Sequence, residues 1–159
     1  MRIRFDPIVT LGATPISEVV IPINHRDKLT SILKGLHFIF ITPELNEKIF
    51  KLLEDKILTN KEQTGRNGMD LWFILVLGVI RVGMDYTYDE VCYAANFDSL
   101  LRKLLGLNDV FFSDDNKKQF TYRTIHENIS KLDSELLEEI NTLISDFGEK
   151  IIKKKKTKS

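Results

Sequence analysis

Apolar residues crowd into one stretch of the chain, Gly68 to Met84 (GMDLWFILVLGVIRVGM), broken only by Asp70, three glycines and Arg81. β-Strands rarely exceed about ten residues, so a run of this length reads as a helix. Being apolar on every side, it belongs inside a shell of other elements. A membrane-spanning helix needs about 18–20 apolar residues in a row, and Asp70 and Arg81 leave this run short of that. The expectation is a mainly α fold: a multi-helix bundle around a buried central helix, with helix-turn-helix-like elements and a short extended N-terminal arm.

The flanking pattern supplies the shell. Residues 2–23 alternate at Arg2-Ile3-Arg4-Phe5 and are rich in β-branched residues from Ile16 to Ile23, with Pro7, Gly12 and Pro15 as breakers. They predict a hairpin or an arm lying on the body, with exchange onto a partner subunit as a further option. Asn24 is placed to cap a helix bearing Leu29, Ile32, Leu33 and Leu36, and His37 to Ile41 either extends it or forms a short strand. Thr42-Pro43-Glu44 has the chemistry of a helix start, followed by Leu45, Ile49, Leu52, Leu53 and Ile57 on one face.

Beyond the central run, Thr87-Tyr88-Asp89-Glu90 fits a capping box and opens a short helix with Val91, Ala94 and Ala95. Asn96 and Phe97 separate it from a helix that Asp98 caps and Gly106 stops, with Leu100, Leu101, Leu104 and Leu105 inward. Leu107 to Phe120 is a polar connector. Thr121 caps a helix with Tyr122, Ile125, Ile129 and Leu132 inward, and Asp133 or Ser134 caps the last helix. That helix buries Leu136, Leu137, Ile140, Leu143, Ile144 and Phe147 and ends at Gly148. The domain plan is an arm over 1–23, a helical body over 24–149 and a disordered lysine-rich tail over 150–159.

Charge sharpens the picture. The 159-residue chain has zero formal net charge, yet six of its 23 basic residues are lysines at or beyond Lys150. Residues 1–149 thus hold 17 basic residues against all 23 acidic ones. An acidic body weighs against strong non-specific DNA binding. Met1 to Pro7 lacks the apolar core of a signal peptide, and one cysteine permits no internal disulfide, so a cytoplasmic protein without membrane partners is expected.

No catalytic pattern emerges. Cys92 sits mid-helix among alanines and reads as a small buried hydrophobe. His25, His37 and His126 lack metal-ligand spacing, and Asp85, Asp89 and Glu90 read as first-turn capping carboxylates. Asp109, Asp114, Asp115 and Asn116 miss the calcium-loop pattern, and no phosphate-binding glycine loop is present. No cofactor is expected. Binding features are clearer: Lys117, Lys118, Arg123 and Lys131 against Glu127 leave residues 117–131 with three excess positive charges. Arg123, Glu127, Asn128 and Lys131 fall off the apolar face of their helix, where Arg or Asn could read base edges and Lys could hold phosphates. Arg102 and Lys103 are expected to be exposed on the second helix of the tight pair. An ordinary solvated helix face remains the alternative.

Gly65-Arg66-Asn67-Gly68-Met69-Asp70-Leu71-Trp72-Phe73-Ile74-Leu75-Val76-Leu77 resembles the N-terminal, InsH-like domain of bacterial insertion-sequence transposases. There a Gly-Arg-x-Gly loop leads into a Leu-Trp-x-Ile-Leu-Val-Leu helix. The later motifs of that domain are matched in order by Tyr88-Asp89-Glu90-Val91, Leu100 to Gly106 (LLRKLLG), Phe120 to Ile129 (FTYRTIHENI) and Leu136 to Asn141 (LLEEIN). The resemblance covers about residues 60–150. It implies a DNA-binding and assembly domain that precedes an RNase H-like domain with an acidic triad and two magnesium ions. The sequence stops where that domain would begin, so no catalytic carboxylate carries over and no enzymatic activity is expected. The implied partners are double-stranded DNA of a transposon end and a second transposase copy. A dimerisation or inhibitory module acting on full-length transposase is the alternative, which the acidic body favours.

Overall fold

The computed structural model describes residues 3–5, 14–22, 27–58, 68–107 and 119–157. These residues form seven α-helices and one 3-10 turn: α1 Lys28–Ile41, α2 Pro43–Ile57, α3 Leu71–Gly83, α4 Tyr88–Phe97, α5 Ser99–Leu104, α6 Tyr122–Ile129 and α7 Ser134–Thr157, with the 3-10 turn at Ile16–Glu18. The mainly α bundle is as the apolar pattern predicts. Helix α3 is its centre: Leu71, Trp72, Ile74, Leu75, Val76, Leu77 and Ile80 have no exposed surface. It packs against α1, α2, α4 and α6. Each such side chain contributes about 1.5–3 kcal/mol on leaving water. No helix among the described residues is long and apolar enough to cross a membrane.

Local chemistry sets most of the helix ends. Thr87 and Glu90 form a complete capping box, Asp98 accepts from Leu101 N at 2.9 Å, Thr121 from Thr124 N at 3.2 Å and Asp133 from Leu136 N at 2.8 Å. Gly106 stops α5 in the left-handed region, at φ 77°. Pro43 occupies the first position of α2. His37 to Ile41 extends α1 rather than forming a strand.

Several elements differ from the sequence pattern. Asn24 lies outside the described residues, and Asp27 rather than Asn24 is the N-cap of α1. Asn96 and Phe97 belong to α4, so Asp98 alone separates α4 from α5. Tyr122 is half exposed instead of inward. The described part of the arm contains no strand. It is held by the helices: Ile3 O and Arg4 O accept from Leu71 N and Trp72 N at 2.9 and 2.8 Å, satisfying two of the amides that begin α3. Helix α7 passes through Gly148 to Thr157, so the lysine segment is helical that far rather than disordered. Lysine is a competent helix former, and cations suit the negative end of a helix dipole.

Candidate nucleic-acid interface

Helix α6 is fixed from below and open above. Phe120 just before it is buried and clamped by one side chain of α4: Asn96 Oδ1 accepts from Phe120 N at 2.7 Å, while Asn96 Nδ2 donates to Phe120 O at 2.8 Å. Ile125 and Ile129 are the buried residues of α6, and the helix packs on α4 and α3. Tyr122, Arg123, Thr124, His126 and Glu127 are left exposed.

The candidate residues on this helix differ in standing. Arg123 has 87% of its side chain exposed and pairs with Glu127 at 2.8 Å; that carboxylate raises the guanidinium's pKa further. Solvent screens an exposed pair of this kind strongly, so Arg123 can exchange Glu127 for another anion at little cost. Asn128 is half-buried, its Nδ2 donating to Thr124 O at 2.7 Å. Lys131, also half-buried, lies in the turn beyond α6 rather than on it.

The other candidates do not join this cluster. Arg102, expected at the surface, is 1% exposed and donates from Nη1 to Ala95 O at 3.0 Å. That carbonyl belongs to the last turn of α4, where helix carbonyls need donors, so Arg102 is a structural tie between α4 and α5. Its neighbour Lys103 is exposed on α5, which packs on α4 and α1. Lys117 and Lys118 lie outside the described residues, as do Asp109, Asp114, Asp115 and Asn116.

Sequence reasoning missed a ladder of rings beside α6. The Arg81 guanidinium lies 4.2 Å from the centroid of the Tyr88 ring. Tyr88 meets His126 edge-on at 4.7 Å, and His126 stacks with Tyr122 at 5.9 Å and 19°. Only the Tyr122–His126 spacing of four residues was visible in advance, as neighbours on one helix face. Cys92 lies on the same side of α4, with Sγ donating to Phe120 O at 3.3 Å. Burial, followed by the charge of Asp89, pushes its thiol pKa up, which makes it a poor nucleophile.

Across α4 the chemistry reverses. Asp89, Glu90 and Asp98 line a groove of about 470 Å³ with Tyr86, Tyr93 and Phe97, in which Tyr93 and Phe97 are strongly exposed. A second, apolar groove of about 390 Å³ runs between α1, α3 and α7, past Phe38, Ile39, Val79, Val82 and Ile144. Among the described residues no three His, Cys, Asp or Glu side chains gather as metal ligands. Comparison with known proteins finds no matching family model, curated protein or solved structure.

Proposed function

We propose that this chain is a DNA-binding and assembly domain of an insertion-sequence transposase, which recognises a transposon end through α6. The observation that carries the reading is the ordered series of motifs over residues 60–150. It gains support from their coincidence with separate helices: Leu-Trp begins α3, Tyr-Asp begins α4, LLRKLLG spans α5 and its glycine stop, and FTYRTIHENI spans α6. On this reading Arg123 and Asn128 address base edges, while Lys131, Lys117 and Lys118 hold phosphates. The lysines of the α7 end add sequence-independent attraction. The reading assigns no chemical step to these residues.

The test is a gel-shift titration at physiological salt, using duplexes from the DNA flanking the coding sequence and scrambled versions of them. The Arg123→Ala/Asn128→Ala double variant should bind the preferred duplex at least about tenfold more weakly, since a good base contact is worth about 1–3 kcal/mol, with its melting temperature unchanged. Equal affinity for both duplexes, together with a stable dimer by light scattering, would favour a second reading. The acidic groove along α4 supports that one: a protein–protein module that engages full-length transposase.

A further inference from the structure

Arg81 is the described arginine whose surroundings the fold leaves incomplete. Arg4 has two carboxylates, Arg102 a carbonyl and Arg123 a carboxylate. Arg81 has the face of a phenol, and its Nε is buried without a hydrogen-bond partner among the described residues. A buried guanidinium donor with nothing to donate to is costly and calls for an explanation.

The chain goes to some length to hold this group. Asp85 takes a left-handed conformation at φ 55°, and Tyr86 N donates back to Arg81 O at 2.9 Å. The tight turn between α3 and α4 this creates sets Tyr88 beneath the guanidinium. A cation fixed over an aromatic face keeps its charge while losing freedom, which pre-orders it for an anion. The acids of α4 lie elsewhere: Asp89 and Glu90 line the groove with Tyr86, Tyr93 and Phe97, whereas Tyr88 meets His126 on the α6 side. On that side the ring of His126 connects Tyr88 to Tyr122, which begins the helix that carries Arg123.

We propose that Arg81, held by Tyr88, is a phosphate-binding residue that extends the DNA surface of α6 onto the end of α3. This rests on the DNA-binding reading and adds to it a contact that carries charge without sequence information. The guanidinium Nη groups would donate to a backbone oxygen, with His126 and Tyr122 flooring the path between Arg81 and Arg123.

The experiment uses the full chain and a fluorescently labelled mixed-sequence duplex, titrated by anisotropy across a salt series. Arg81→Gln keeps a long side chain over Tyr88 and removes the charge; Arg81→Lys keeps the charge. Arg81→Gln should bind severalfold more weakly and reduce the slope of log affinity against log salt by about 0.9, the loss of one phosphate contact. Arg81→Lys should retain the wild-type slope. If Arg81→Gln matches wild type while Arg123→Ala weakens binding, this proposal fails and the DNA reading stands. Equal weakening in both Arg81 variants with lowered melting temperatures makes Arg81 a packing residue and also overturns the proposal. Failure of the wild-type chain to bind any duplex overturns both.

Discussion

At the scale of single residues, charge alone does not reveal role. Arg102 and Lys103 are adjacent and both cationic, yet one is sealed inside the molecule and the other faces water. Burial of Arg102 works because its donor meets Ala95 O, in the last turn of α4. The site offers both a free acceptor and the negative end of a helix dipole. Arg102→Ala should therefore cost about 1.5–3 kcal/mol, the range for losing a charged hydrogen bond. It should appear as a lower urea midpoint. Lys103→Ala should stay within about 0.5 kcal/mol of wild type, as most surface changes do. A midpoint unmoved in Arg102→Ala would mean that water replaces the guanidinium and that the α4–α5 tie is not needed. Asn96 teaches the same lesson: one amide serving both polar groups of Phe120 sets the start of α6, and nothing in its own neighbourhood of sequence announces it.

At the scale of elements, close packing around α3 explains two of its glycines. A Cβ at Gly78 would collide with Leu132 Cδ2 and stand 3.3 Å from its Cβ and Cγ, and one at Gly83 would stand 2.7 Å from Ile32 Cδ1. A Cβ at Gly35, also within a helix, would have nothing within 4 Å among the described residues beyond its chain neighbours and its own helix backbone. Alanine gains about 0.5–1 kcal/mol over glycine in a helix interior, whereas an overpacked core loses about 1–3 kcal/mol. Gly35→Ala should accordingly raise the melting temperature and Gly78→Ala should lower it; shifts of the same sign would show that Leu132 yields freely. What the sequence disclosed of the elements follows the range of the forces. Caps at Thr87, Asp98, Thr121 and Asp133 act within three residues, so their spelling is local and readable. The central helix declares itself because solvation depends on composition. The length of α7 was not readable, because Gly148 stops a helix only if the next turn gains nothing, and here the lysines suit its C-terminal dipole. Of the candidate site, Arg123 was legible as an exposed cation off an apolar face. The Arg81–Tyr88–His126 ladder was not, since it joins three helices through contacts up to 38 positions apart in sequence.

At the scale of the whole molecule, the arm ties the acidic face of α2 to the buried start of α3. Its backbone gives α3 the acceptors at Ile3 and Arg4, and its Phe5 ring packs edge-on against Phe40 at 5.1 Å. The Arg4 side chain meets Glu47 at 2.6 Å and Glu54 at 2.8 Å, both on α2. The hydrogen bond from Arg4 holds the Glu47 carboxyl below its ordinary value of 4.5, and the pair in turn raises the pKa of Arg4. A carboxylate with a lowered folded pKa gives stability that is present above its ordinary value and disappears as pH falls through the folded one. Arg4 stays charged across that range, so the acid-side change belongs to Glu47. Glu47→Gln should therefore be less stable than wild type near neutral pH. The difference should close as pH drops below the ordinary carboxylate range, and added salt should shrink it because the pair is partly exposed. Trp72, the sole tryptophan, is fully buried and lies 4.9 Å from Phe40. Its fluorescence during urea unfolding at successive pH values reads both proteins with the same probe. A gap between them that persists unchanged in acid would mean that Glu47 contributes packing rather than charge, and that the arm stays on through its backbone bonds to α3.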